Sequence, residues 1–267
     1  MYALGEHQVL KIFPPFDRRQ YAIEVAVLEA VDKRLSIPTP RVSAVGELEG
    51  WSYLLMQRLR GENLAEAWPR IPPDQQLRLA GVLGKSLAEL HGTPVPGVPE
   101  LRLDWTQFLA DQTRRCVERQ RSHGLDEQWL EQIPEFLRAT PLVPPASLSL
   151  LHTEVMREHL LVTNGPSGWM LSGLFDFESS MQGAAEYEFG AVGLFFACDT
   201  PGVLRQVLRG YGYEAAQLDA ALQHRLLAYK LLHRYSNLRW YLNRMPPTAG
   251  ERTLEALARK WWVLSVA

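Results

Sequence analysis

Leu150-Leu151-His152-Thr153-Glu154-Val155-Met156-Arg157-Glu158-His159-Leu160-Leu161-Val162, followed by Gly173-Leu174-Phe175-Asp176-Phe177-Glu178, decides how this chain is read. Short apolar runs bracket a polar loop and then deliver an acid at the end of the last run, and strands are expected over about 149–163 and 168–175. Phosphoryl-transfer sites place a carboxylate loop and a metal-binding acid on a hairpin in this way. His152, Glu154 and His159 on the loop, and Asp176 and Glu178 after the second strand, are therefore the residues to weigh.

Working toward the N-terminus, Gln8-Val9-Leu10-Lys11-Ile12-Phe13 reads as a strand closed by Pro14-Pro15. Asp17, with Gln20 three residues on, has the spacing of a capping box, and Ile23, Val27 and Ala30 then recur at helical intervals. Strands around 41–47 and 51–56 complete a small unit over residues 1–60. After Gly61 long helices take over across 61–267. Leu77, Ala80, Leu83, Leu87 and Leu90 mark one apolar face that ends at His91-Gly92. Further helices are expected near 104–121 and 126–138, and a long one over about 214–244. The pattern gives an α+β chain with a small sheet-rich lobe and a large, mainly helical lobe carrying the hairpin.

With 267 residues, 46% hydrophobic and 22% charged, the chain can bury a core without metal or disulfide staples. A formal charge of −2 offers no general attraction to nucleic acid or to acidic membranes. Cys116 and Cys198 are the two cysteines, far apart and without zinc or redox spacing, as in a reducing, cytoplasmic setting. No apolar run approaches the roughly 20 residues of a membrane span.

Side chains alternate along a strand, so Lys11 shares a face with Val9 and Phe13 and its ammonium needs a carboxylate partner. Glu24 qualifies, because Tyr21, Leu28 and Val31 surround it on the following helix. A snorkelling lysine and a solvated helix glutamate are the plainer alternative.

Taken in order, these motifs resemble the aminoglycoside phosphotransferase family, small-molecule kinases of bilobal protein-kinase-like fold. The resemblance implies that Lys11 contacts the α- and β-phosphates of ATP (or GTP) and is held by Glu24. It makes Met56 the gatekeeper, with backbone groups of Gln57 and Leu59 on the base. It makes Glu154 the acceptor of the hydroxyl proton, His152 a loop-organising member of the catalytic set, Asp176 and His159 the positions that hold Mg2+, and Glu178 and Glu188 supporting acids.

Three departures stand out. Where the family usually has His-Gly-Asp, four residues and then Asn, this chain has His152-Thr153-Glu154 and then His159. An imidazole is a poor substitute for an amide oxygen on magnesium, so Glu158, water or a softer ion such as Mn2+ would compensate. Glu188 replaces an aspartate. Tyr2 to His7 leave room for the end of a second strand and a turn at Gly5, but none for the first strand and phosphate-covering loop with which relatives begin.

Between residues 150 and 190 there are six acids against one base, Arg157. Such a field suits a metal and a cationic hydroxyl substrate, with an aminoglycoside of hygromycin type as the leading expectation. Two other readings stay open: a catalytically impaired kinase-like protein that binds nucleotide or a partner, and a zinc hydrolase or deaminase using His152, Glu154, Glu158 and His159. The second lacks the zincin and deaminase companion motifs.

Overall fold

The structure, a computed structural model, describes residues 1–198 and 200–264. Its N-terminal part is a four-stranded antiparallel sheet of β1 (Tyr2–Leu4), β2 (Gln8–Phe13), β3 (Val42–Leu48) and β4 (Trp51–Gln57), in the order β1-β2-β4-β3. The chain turns between β1 and β2 at Gly5, whose φ of 63° is open to a residue without a Cβ. Alternation on β2 buries Lys11 and Phe13 and exposes Ile12. Helix α1 (Arg18–Val31) lies along the sheet through Ile23, Val27, Leu28 and Val31. Asp17 does stand at its N-cap, but its side chain makes no capping bond, because a single turn over Pro15–Asp17 leads directly into the helix. The capping box expected with Gln20 is therefore not formed.

Beyond the connector, β5 (Glu62–Asn63) runs into α2 (Leu64–Ala67), which Asn63 caps through the Ala65 amide. Next come α3 (Pro73–His91), α4 (Trp105–Ser122), α5 (Glu127–Leu130) and α6 (Gln132–Ala139). The predicted hairpin is divided among β6 (Ser149–Leu151), β7 (Leu160–Gly165) and β8 (Gly168–Leu174), and an unpredicted strand, β9 (Met181–Gly183), follows it. Strands β7 and β8 pair as expected, and β5 joins them. The single strand expected over 149–163 is instead interrupted after Leu151, where β6 pairs with β9 in a separate ribbon. The physical reason is a side chain that captures the next backbone amides: Glu188 accepts hydrogen bonds from the N–H groups of His152 and Thr153, so no strand partner can.

Helix α7 (Ala185–Ala191) continues into a π-helical segment, Val192–Ala197, and is followed by α8 (Val203–Tyr211), α9 (Ala220–Leu231), α10 (Leu238–Arg244) and α11 (Leu254–Trp261). The long helix expected over 214–244 is thus broken between α9 and α10. The buried amide of Gln120 reaches in from α4, accepting from Leu238 N–H at 2.7 Å and donating to Ser236 Oγ at 2.9 Å, and Asn237 caps α10. These bonds satisfy backbone and hydroxyl groups that an unbroken helix would have used otherwise. Helices α3 and α8 pack closely because Gly84 and Gly210 lack side chains; a Cβ at either would strike a carbonyl of the facing helix.

Candidate active site

Three elements carry the cluster of one lysine and three acids. β2 delivers Lys11, and the chain leaving β8 delivers Asp176 in a left-handed conformation, φ 72°, followed by a turn over Phe177–Ser179. A non-glycine residue held there stores strain of order 1–3 kcal/mol, a cost characteristic of functional positions. Lys11 Nζ lies 2.7 Å from Glu24 Oε2, 2.6 Å from Asp176 Oδ1 and 2.7 Å from Glu178 Oε2. Helix α1 packs against the Asp176 turn, which brings Glu24 across the cleft to meet it.

One ammonium thus serves three carboxylates. Burial pushes the Lys11 ammonium down, but Glu24 and Asp176 outweigh it and raise its pKa well above the ordinary value. Burial raises Glu24 to about 7 against the pull of Lys11, with Asp176 and Glu178 adding repulsion. Asp176 goes the other way: burial opposes its charge, and Lys11 overrides that to hold it below the usual carboxylate range.

The loop after β6 is held from below. Glu188, wholly buried at the start of α7, takes His152 N–H at 2.7 Å and Thr153 N–H at 2.8 Å, which sustains the positive φ of Thr153. Two histidines then clamp the backbone of Glu154. Its N–H donates to His152 Nδ1 at 3.3 Å, and its carbonyl accepts from His159 Nδ1 at 2.8 Å. The first bond requires a bare Nδ1 on His152, leaving Nε2–H to donate to the Phe175 carbonyl at 3.0 Å. Burial lowers the His152 pKa, consistent with that neutral form. His152 is therefore an organiser with both nitrogens engaged, buried beneath the loop, and only Glu154 of the pair lines a cavity, the one beside Phe195 and Lys230.

His159 has one nitrogen fixed as a donor as well. Nδ1 donates to the Glu154 carbonyl, and Nε2 faces Asp176 Oδ2 at 3.3 Å. A proton on Nε2, or a cation in its place, would join the two groups. Glu24, Asp176 and Glu178 are, among the described residues, the group whose carboxylate oxygens lie close enough to share one ion. Asp176 and Glu178, being partly exposed hard-oxygen donors, fit a divalent ion once they leave Lys11; Glu24, buried behind the lysine, does not. The zinc-hydrolase set finds no such convergence, because the His152 nitrogens are spent.

A cavity of about 340 Å³ lies between the sheet and the helical part. Val9, Met56, Gln57 and Leu59 line it from one side, Leu161 and Phe175 from the other. The Gln57 N–H is committed to the Arg41 carbonyl and the Arg58 N–H to the His7 carbonyl, so what the connector can offer a flat base is the Gln57 carbonyl and the Leu59 amide. Glu158 sits in a single turn and lends its carbonyl to the Asn63 side chain.

The acidic field inferred from the sequence is mostly spent internally. Asp176 and Glu178 pair with Lys11, Glu188 is buried on backbone amides, and Glu186 forms two 2.8 Å bonds with Arg225. What sequence reading missed lies on the other side of Glu154. Lys230 of α9, Phe195 of the π-helical segment and Tyr241 of α10 line a second cavity with it. Arg157 braces that segment, bonding the Phe196 and Ala197 carbonyls and stacking 4.0 Å over Trp68. The available signal was a lone lysine in the apolar run Leu226-Leu227-Ala228-Tyr229-Lys230-Leu231-Leu232.

A four-stranded sheet with one helix, a connector, a helical lobe and a carboxylate-lysine cluster between them define a bilobal protein-kinase-like fold. The sequence model of the phosphotransferase enzyme family (APH) matches residues 1–226, and the chain belongs to that family. The fold is similar to that of wild-type aminoglycoside 2'-phosphotransferase-IIIa in its GDP complex, with TM-score 0.70 and 19% identity over 97% of this chain and 87% of that one. It is likewise similar to the GDP and kanamycin complex of APH(2'')-IIIa, with TM-score 0.68 and 19% identity over 91% and 89%. ADP-bound APH(2'')-Ib gives TM-score 0.61 and 15% identity over 90% and 84%. No curated protein sequence matches the chain. Among the described residues no helix is long and apolar enough to cross a membrane.

Proposed function

We propose that the protein transfers the γ-phosphoryl group of ATP, or GTP, to a hydroxyl of a small molecule. The observation that carries this reading is the meeting of Lys11, Glu24 and Asp176 within 2.7 Å contacts at the mouth of a base-sized cleft, with Glu154 on the adjoining loop. Lys11 would hold the α- and β-phosphates, and Glu24 keeps its ammonium aimed into the cleft. The connector at Met56, Gln57 and Leu59 would take the base. Asp176 and Glu178, with His159 Nε2 beside them, would hold Mg2+ or Mn2+, whose charge offsets that of the phosphates. Glu154 would orient the acceptor hydroxyl and accept its proton, on a loop that His152 and Glu188 keep in shape.

The aminoglycosides named for structural neighbours supply one candidate acceptor class. The pairing-off of the acids described above lends that class no support from charge. A second reading, a kinase-like protein that binds without turnover, draws on the fact that phosphates must displace Asp176 and Glu178 from Lys11. Incubation with γ-labelled ATP, Mg2+ and a panel of hydroxyl compounds, aminoglycosides included, tests the proposal. Labelled phosphate ester that disappears in Asp176→Asn is the expected result; nucleotide binding with no product from any acceptor would favour the second reading.

A further inference from the structure

The cavity beside Glu154 has a volume of about 260 Å³ and a lysine in its wall. Lys230 is 2% exposed, and among the described residues its Nζ enters no hydrogen bond or ion pair. It lies 4.6 Å from the centroid of Phe195 and 4.7 Å from that of Tyr241, rings that soften but do not replace a counter-charge. Glu154 is the acid whose field it feels, and burial still pushes its pKa down to about 7. A buried ammonium with no carboxylate on it is costly, and a replacement by an apolar residue would remove that cost. At the rim Trp240 and Tyr235 are roughly half exposed, with the Arg244 and Arg234 guanidinium groups over their rings at 5.6 and 5.0 Å. The lining therefore combines aromatic faces with one lysine and one carboxylate, and two guanidinium groups stand behind the rim rings.

Resting on the reading of Glu154 as the residue that faces the acceptor hydroxyl, the geometry points to a hydroxylated carboxylic acid with a flat apolar body as the acceptor class. Its carboxylate meets Lys230, its ring lies among Phe195, Tyr241 and Trp240, and its hydroxyl reaches Glu154. The space is adequate, since an apolar cavity of about 150 Å³ already accepts benzene. A polycationic aminosugar would instead bring ammonium groups against Lys230, Arg234 and Arg244.

Calorimetric titration of the full chain with 4-(hydroxymethyl)benzoate, benzyl alcohol and kanamycin, without nucleotide, tests this directly. The carboxylate probe should bind at least tenfold more tightly than benzyl alcohol. That preference should vanish in both Lys230→Met and Lys230→Gln, and kanamycin should not displace the probe. Equal or unmeasurable affinities for the two ring probes, a preference retained in the folded variants, or tighter binding of kanamycin would each overturn the inference. A parallel titration with Mg·ATP reports on the nucleotide cleft alone, so failure of phosphotransfer and failure of the carboxylate preference are read separately.

Discussion

Replacing Glu188 by glutamine should loosen the loop that carries Glu154 while leaving the nucleotide cleft intact. The wild-type carboxylate is wholly buried and accepts two backbone N–H bonds, at 2.7 and 2.8 Å, one through each oxygen. Hydrogen bonds to a charged group are worth roughly 1.5–3 kcal/mol each. An amide keeps one acceptor and turns an NH2 toward the other N–H. One bond is lost, one is weakened to neutral strength, and a buried donor is left unsatisfied, for a total near 3–4 kcal/mol. Thr153, held at φ 72°, then keeps only its hydroxyl bonds to the Ser179 carbonyl and to Arg234 against its left-handed strain. Urea denaturation should show that loss, and melting should fall by roughly 10 °C for a chain of this size. Hydrogen exchange at the His152 and Thr153 amides is expected to be slow in the wild type and fast in the variant, and the affinity for Mg·ATP should stay within about twofold. A loss below about 0.5 kcal/mol with both amides still protected would refute the argument that this carboxylate shapes the loop.

Glu154→Gln should cut the turnover of any accepted hydroxyl by about 10²–10⁴-fold, the usual share of a positioned base, with nucleotide affinity preserved; steady-state rates and Mg·ATP titration separate the two. Lys230→Met should stabilise the fold in a pH-dependent way. The lysine pKa falls from its ordinary value of 10.5 to about 7 in the folded protein, so the unfolded chain gains its proton first as pH drops. The wild type therefore loses stability relative to the variant between pH 10.5 and 7, and the gap is constant below that, up to about 5 kcal/mol from the shift alone. Denaturation curves of both proteins at pH 7 and pH 10 check the sign, with Glu154, His233, Tyr235 and Tyr241 being the other titratable groups facing this cavity.

The parts of this site that were legible in the sequence rest on short-range geometry. Alternation along one strand buried Lys11, helical spacing pointed Glu24 at it, and the acid after the second apolar run proved to be Asp176 at the cleft. What could not be read depended on partners distant in the chain. The strand was cut after Leu151 because a glutamate on α7 takes its next two amides, and the expected C-terminal helix was cut because Gln120 on α4 supplies bonds to the break. Charge counting failed for the same reason: acids that look like a field along the sequence are paired off in space by Lys11, Arg225 and backbone N–H groups. The second histidine of the loop gained its meaning only once the Glu154 carbonyl took its Nδ1–H and turned Nε2 toward Asp176.

The most direct test of the account is the affinity for Mg·ATP of the wild type against Lys11→Met, measured by calorimetry on the intact chain. The account predicts binding in the wild type and a weakening of at least thirtyfold in the variant, because the ammonium that three carboxylates now hold is the one the phosphates must meet. Equal affinities in the two proteins, or no nucleotide binding by the wild type, would contradict it.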